Sequence, residues 1–356
     1  MELSFWEQKL PFEYPFTISN GRTKTHQHTL MVRLSLGNWE GFGEAPAIAY
    51  YNVTVEVMME QLEKHRKVIE KFALIDPERF WHFLHHLFPN DPFLVCALDM
   101  AGWDLWGQMK KQPLHKLWNT VWHTQANADS GILIPPICDY TLGIDPIEKM
   151  VQKMKDHPWP IYKVKVGTDY DIEMIKALRQ HTDKPIRVDA NAGWTTEEAL
   201  VKIPALALLG VELVEQPLAK ENWEGMEQLK KQSSLPLFAD ESCVMEKDVA
   251  VCANYFHGIN IKLTKCSGLT PALRMIQEAR TLGLKVMMGS MNESVIGSAA
   301  IAQFLPQLDY VDMDGPLLMT ALNGIGLNYS FENENGKIEP LIHFGLGVQY
   351  RPPFTK

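Results

Sequence analysis

The sequence predicts an α/β protein: a (β/α)7β barrel joined to a smaller α+β module. Three observations predict it. From about residue 130 onward, short apolar runs alternate with segments of helical period. Before that point strand-like runs come first and helix-like runs follow. The polar residues that close the later strands recur at about the length of one βα unit. The expected division is 1–125 for the α+β module, 126–320 for the barrel and 321–356 for a tail. The tail has no room for another βα unit and is expected to return to the first module.

In the first module, MELSFWEQKL and HQHTLMVRLSLG read as strands, and Gly37-Asn38 marks a turn into WEGFGEA, giving an antiparallel meander. Helical patterns follow in TVEVMMEQLEKHRKVIEKFA, DPERFWHFLHHLF and DPFLVCALDMAGWDLWGQMKKQ. Two of them open with Asp-Pro (Asp76 and Asp91), an N-cap followed by proline at the first helical position. The barrel runs are PPICDYT, IYKVKVG, IRVDAN, VELVEQP, LPLFADES, INIKLT, KVMMGS and YVDMD, with helical segments such as EEALVKIPALALLG between them. Eight strands separated by seven helices is the order of the barrel.

Composition sets outer limits. The chain has 356 residues, 46% hydrophobic and 22% charged, an ordinary globular balance. A net charge of -9 argues against nucleic acid as a partner, which calls for a basic footprint. No signal peptide is visible at the amino terminus, and no apolar run approaches the ~20 residues needed to cross a bilayer. Five cysteines, an odd number without a CxxC pair, suit reduced thiols and a cytoplasmic location. The clusters His82/His85/His86 and His26/His28 read as packing and strand residues rather than metal ligands. The sequence leaves the oligomeric state open, a homo-oligomer included.

The chemistry lies at the strand ends: Thr141, Lys163/Lys165, Asp189, Glu215, Asp240, Lys262, Ser290 and Asp312. From Lys163 to Asp240 they are spaced by 26, 26 and 25 residues. A barrel brings such ends onto one rim. Asp189, Glu215 and Asp240 would then converge on three successive strands, an arrangement that is costly without a cation. A hard divalent ion with oxygen ligands resolves it, and Mg²⁺ leaves positions for substrate and water. Lys163 and Lys165 alternate onto one face of their strand, with Lys262 across the barrel. Neighbouring cations are expected to lower the pKa of these lysines, making a basic form accessible. Lysines on opposite faces of a substrate can exchange a proton at one carbon in both directions.

In order along the chain, KVKVG, VDANAGW, LVEQP, ADES, NIKLTK and DMDGP resemble the enolase superfamily in its muconate-lactonizing subgroup. The resemblance covers nearly the whole chain and implies a modified TIM barrel, (β/α)7β, with a capping domain built from the N-terminal segment and the tail. It implies one Mg²⁺ per site on Asp189, Glu215 and Asp240, with Mn²⁺ as a substitute. It also implies acid/base catalysis by Lys165 and Lys262 through an enediolate. Lys165 would serve the L epimer and Lys262 the D epimer. Lys163 would help hold the enolate oxygen and depress the pKa of Lys165. Asn191 and Glu241, beside the ligands, would support them, and Lys265 would be structural.

Asp312 and Asp314, read as sharing one face of the eighth strand, are similar to the DxD that receives the α-ammonium in dipeptide epimerases. Two acids opposite a metal favour a substrate with a cation at one end and a carboxylate at the other. Thr141, Ser290, Met291 and Glu293 resemble pocket residues of L-Ala-D/L-Glu epimerases. Arg22, in one of two cap loops (about 15–25 and 44–53), resembles the cation that meets an acidic substrate side chain. The resemblance thus implies a small dipeptide from murein peptide (peptidoglycan) turnover, inverted at its C-terminal residue. The alternatives are N-acylamino acid racemase, o-succinylbenzoate synthase or muconate cycloisomerase, none of which needs two acids for an ammonium. A non-catalytic metal-dependent binding protein is a further alternative, though it would gain nothing from paired lysines.

Overall fold

Glu2–Thr17 (β1), Thr23–Leu36 (β2) and Trp39–Pro46 (β3) form an antiparallel sheet in the order β1-β2-β3, and Gly37, at φ 61°, makes the turn between the last two. The protein is represented by a computed structural model. It describes residues 1–17, 23–118, 136–320, 324–325, 328–330, 337–339 and 343–350. The expected boundary at 125/126 lies outside these residues, as does Arg22.

Three helices follow the sheet: Val55–Glu70 (α1), Pro77–Leu87 (α2) and Pro92–Lys110 (α3). Thr54 caps α1 by accepting from Val57 N, and Asp76 caps α2 by accepting from Arg79 N. Asp91 departs from the expected cap. Its backbone (φ -119°, ψ 64°) is not in the extended region, and its side chain makes no cap bond to α3. Helix α3 is apolar almost all round, because the sheet covers one side and the barrel another. Strand β3 lies directly on its backbone. A Cβ on Gly43 would fall 2.0 Å from Ala97 O, and one on Gly41 2.2 Å from Leu105 N.

After the short helix Leu114–Leu117 (α4), the described chain resumes in the barrel. Its strands are Tyr140–Leu142 (β4), Tyr162–Lys165 (β5), Ile186–Asp189 (β6), Val211–Glu215 (β7), Leu237–Ala239 (β8), Gly258–Ile261 (β9), Lys285–Gly289 (β10) and Tyr310–Asp312 (β11). Seven helices intervene: Ile147–Asp156 (α5), Asp171–Arg179 (α6), Thr196–Leu208 (α7), Trp223–Gln232 (α8), Glu246–Tyr255 (α9), Leu269–Thr281 (α10) and Val295–Ala302 (α11). Consecutive strands are parallel neighbours, and a parallel bridge between Cys138 and Val311 joins the first run to the last. Strand β4 starts later than the run PPICDYT suggests, since its two prolines cannot donate to a ladder. Apolar side chains fill the layer between strands and helices and extend to Trp6, Met31 and Phe42 of the first module, a small cluster of Leu213, Phe238 and Met287 lies apart from them, and another cluster fills the first module.

Buried polar contacts seat the first module on the barrel. Asp99 of α3 accepts from Thr270 N (3.0 Å) and Thr270 Oγ1 (2.8 Å) at the start of α10. Trp81 Nε1 donates to Ser267 O at 3.0 Å. Described residues near the C-terminus pack on the first module: Leu346 N donates to Asp104 Oδ1, the other Asp104 oxygen takes Phe42 N, and Tyr350 stacks on Trp6. All five cysteines are free and buried. His85 stacks on Trp81 at 4.9 Å, the packing role expected of that histidine cluster. Among the described residues no helix is long and apolar enough to cross a membrane.

Gly43→Ala is expected to lower stability by about 3 kcal/mol or more, the upper end for an overpacked site, because the atoms in the way are backbone. Thermal unfolding checks it. An unchanged Tm would mean that β3 and α3 are not in backbone contact.

Candidate active site

Parallel register sets the site. Lys165 is paired with Asp189, and Asp189 with Glu215, so three polar residues end up side by side at the carboxyl ends of β5, β6 and β7. Asp240 follows β8 by one residue. Ligand oxygens of Asp189, Glu215 and Asp240 lie within 4.8 Å of one another, and all three residues are buried. Asn260 Nδ2 donates to Glu215 Oε1 at 2.7 Å, and Gln216 Oε1 takes Asp240 N at 3.0 Å. The other Glu215 oxygen, Oε2, accepts no aligned hydrogen bond, although Lys163 Nζ is 2.8 Å away. Three convergent hard oxygens, one short of a hydrogen-bond donor, fit a divalent cation such as Mg²⁺.

Burial would raise the Asp189 carboxyl, but Lys165 and Lys163 bring it down to about 2. Burial likewise opposes ionisation of Asp240, and Lys262 and Lys265 hold it well below the usual carboxylate range. Glu215 is raised, by burial and then by the charge of Asp189. Asp189 and Asp240 are therefore favoured as carboxylates.

The lysines differ from expectation. Lys165 Nζ is 2.6 Å from Asp189 Oδ2, and Lys262 Nζ is 2.8 Å from Asp240 Oδ2, from opposite sides of the barrel. Lys163 sits deeper, with Nζ 2.6 Å from Asp312, 2.8 Å from Glu215 and 3.3 Å from Asp189. Its ammonium faces carboxylates rather than the cavity. For Lys163 and Lys262 the neighbouring carboxylates act against the lowering expected from neighbouring cations. Burial depresses Lys163 and Lys262, but the surrounding carboxylates more than offset it, and both end above the ordinary lysine range. Lys265, read from sequence as structural, touches a predicted ligand: its Nζ donates to Asp240 Oδ1 and Asp240 O, each at 2.5 Å, and to Cys243 O at 3.1 Å.

Asp312 ends β11, whereas Asp314 lies beyond the strand, at φ -82° and ψ 3°, where Gly315-Pro316 opens a 3-10 turn. The two acids do not share a strand face, yet both line the same cavity. Their states also differ. Burial raises Asp312, but Lys163 more than reverses this. Asp314, raised to about 7 by burial and by Asp312, accepts from Thr141 N at 2.6 Å.

The cavity, about 240 Å³, is of small-molecule size. Lys165 and Lys262 line it, with Asp240, Asn191, Glu241, Thr141, Ser290, Met291, Asp312 and Asp314. Asn191 Nδ2 donates to Glu241 Oε1 at 3.3 Å. Glu293 is not in the lining: its carboxylate turns back to accept from Met291 N at 2.5 Å. The first module supplies the roof, through Lys24 and the turn Ile48–Tyr51. The sequence reading placed loops there but missed Tyr50 and Tyr51, which lie edge-on at 4.9 Å. It also missed Asn260 and Gln216. Asn260, two residues before Lys262, could have been found from strand alternation alone.

Comparison with known proteins agrees with this geometry. Residues 147–353 match the family described as Enolase C-terminal domain-like. An L-Ala-D/L-amino acid epimerase of Flavobacterium johnsoniae is 48% identical over 94% of this chain and 98% of its own. An L-Ala-D/L-Glu epimerase of Bacteroides thetaiotaomicron is 35% identical over 98% of this chain and 88% of its own. The solved structure of a dipeptide epimerase from Cytophaga hutchinsonii, complexed with Mg and D-Ala-L-Val, superposes with a TM-score of 0.89 at 25% identity. It covers 99% of this chain and 96% of that one.

Glu215→Gln is expected to leave the fold intact and to weaken Mg²⁺ binding measured by titration calorimetry. Asn260→Ala, which removes only a partner of Glu215, should cost the roughly 10–100-fold typical of such supports, and Glu215→Gln more. Unchanged affinity in both variants would place the ion elsewhere.

Proposed function

Because the chain belongs to the enolase superfamily, we propose that it is a Mg²⁺-dependent dipeptide epimerase, an isomerase that inverts the C-terminal residue of its substrate. The observation that carries the reading is the placement of Lys165 and Lys262, which line one cavity from opposite sides with the carboxylate triad between them. Asp189, Glu215 and Asp240 hold the ion. When bound, Mg²⁺ supplies positive charge against the negative charge a substrate carboxylate gains as its α-proton leaves.

The chain's own residues do the rest. One lysine Nζ takes the α-proton from one face, and the other lysine gives a proton to the opposite face. Lys163 neutralises the interior carboxylates and keeps Asp312 ionised. Asp312 and Asp314 receive the substrate ammonium at the far edge of the cavity. Asp314 is the acid of the two that takes no cation from Lys163, so an incoming ammonium favours its ionised form.

L-Ala-D/L-Glu or a close relative from murein peptide turnover is the favoured substrate, and the cytoplasm the location. The division into cap (1–125), barrel (126–320) and returning tail (321–356) assigns substrate shape to the first part and chemistry to the second.

Acetylating the substrate amino group is expected to cost about 2–5 kcal/mol in kcat/KM, as for a buried charge left unpaired. N-acetyl substrates that outperform free dipeptides would favour the racemase alternative.

The lysine roles are tested by α-proton exchange in deuterated water. Neither Lys165→Ala nor Lys262→Ala should epimerise. Lys262→Ala should wash deuterium only into the L epimer, and Lys165→Ala only into the D epimer. Lys163→Ala should weaken both exchanges together. One-sided loss in Lys163→Ala, with epimerisation surviving in Lys165→Ala, would make Lys163 the base.

A further inference from the structure

Glu44 of β3 belongs to the cap, but its side chain ends in the barrel. The residue is fully buried. Its carboxylate accepts from Ser294 N at 2.8 Å, from Gly297 N at 3.1 Å and from the Ser294 hydroxyl. Ser294 is the N-cap of α11, so these donors sit at the positive end of that helix. Glu44 does not line the cavity, but the segment it fastens does. Ser290, Met291 and Asn292, just before α11, form one wall.

In that wall Asn292 has φ 64°, a left-handed conformation uncommon outside glycine and more accessible to asparagine than to most residues. Two carboxyl groups hold the segment. Glu293 takes Met291 N inside the turn, and Glu44 pins the residues just after it. The wall is also tied to the acidic edge of the cavity. Ser290 N donates to Asp312 O at 2.7 Å. The Glu293 backbone packs so closely on Gly315 that a Cβ there would lie 2.3 Å from Glu293 O. Asp314 immediately precedes that glycine.

We propose that Glu44 is a positioning residue for the ammonium half of the substrate: from the cap it fixes the 290–292 wall and, through it, the placement of Asp312 and Asp314. The inference rests on the reading of the cavity as a dipeptide site. It assigns Glu44 to substrate binding rather than to the proton transfers, because both lysines and the triad belong to β5–β9, and Glu44 reaches the site from α11. The tie also makes seating of the cap and shaping of the wall a single event.

The test compares wild type with Glu44→Gln, which keeps the shape but loses the charge, using L-Ala-L-Glu at saturating Mg²⁺. KM should rise about tenfold, the loss expected for hydrogen bonds to a charged acceptor, while kcat stays within about twofold. Calorimetry should find Mg²⁺ affinity unchanged. Amide hydrogen exchange should speed up over residues 290–297 and stay as in wild type over β5–β8. Ser294→Ala, which removes one donor, should raise KM by a smaller factor, about threefold, and it carries the test if Glu44→Gln does not fold. An unchanged KM, or a fall confined to kcat or Tm, overturns the proposal. If the wild type turns over no dipeptide, the functional reading fails instead. The exchange comparison then decides the tie: faster exchange over 290–297 supports it and unchanged exchange overturns it.

Discussion

Everything in this molecule is arranged around three carboxylates buried within one ion's reach. Removing a carboxylate from water costs several kcal/mol, and bringing three together adds mutual repulsion. The protein offsets this with lysines placed by parallel register: Lys165 beside Asp189, Lys262 and Lys265 on Asp240, and Lys163 among Asp189, Glu215 and Asp312. Such a cluster needs strands that all end at one rim, which a closed parallel barrel provides. Of these ammonium groups, those of Lys165 and Lys262 also line the cavity, whereas Lys265 has three acceptors around its Nζ and Lys163 is enclosed by carboxylates.

Much of this was legible in the sequence because strand ends repeat at the length of one βα unit. That regularity located Asp189, Glu215, Asp240 and Lys262 before any coordinates, and two-residue alternation paired Lys163 with Lys165. What alternation could not supply was depth. Lys163 and Lys165 point inward alike, yet one is sealed among carboxylates and the other reaches the cavity. The distinction depends on layers contributed by other strands. Asp312 and Asp314 were misjudged for a related reason: strand periodicity was carried past Asp312, although the following Gly-Pro ends the strand. The upward push on Lys163 and Lys262 has the same origin, since sequence spacing shows neighbouring cations but not how many carboxylates each ammonium touches. Asp91 reads like Asp76 in sequence and fails to cap for want of the extended backbone. Glu293 resembles an epimerase pocket residue in sequence, and only the fold of the turn shows its carboxylate accepting from Met291 N.

The roof of the cavity obeys different physics from its floor. The floor is built from strand ends, where side-chain position is set to within a fraction of a residue by register and buried ion pairs. The roof comes from Lys24 and the turn Ile48–Tyr51, held to the barrel at a distance through Asp99, Trp81 and Glu44. A change in the turn alters the shape and polarity offered to a substrate without touching a metal ligand or a lysine. A change in a strand end unbalances buried charge and is felt throughout the cluster. Cavity shape and buried charge are thus set by different parts of the molecule. Trp6, Leu10, Met31, Phe42 and Met100 of the cap share one apolar cluster with the barrel, and to this non-directional contact the Glu44 carboxylate adds three donors in fixed directions.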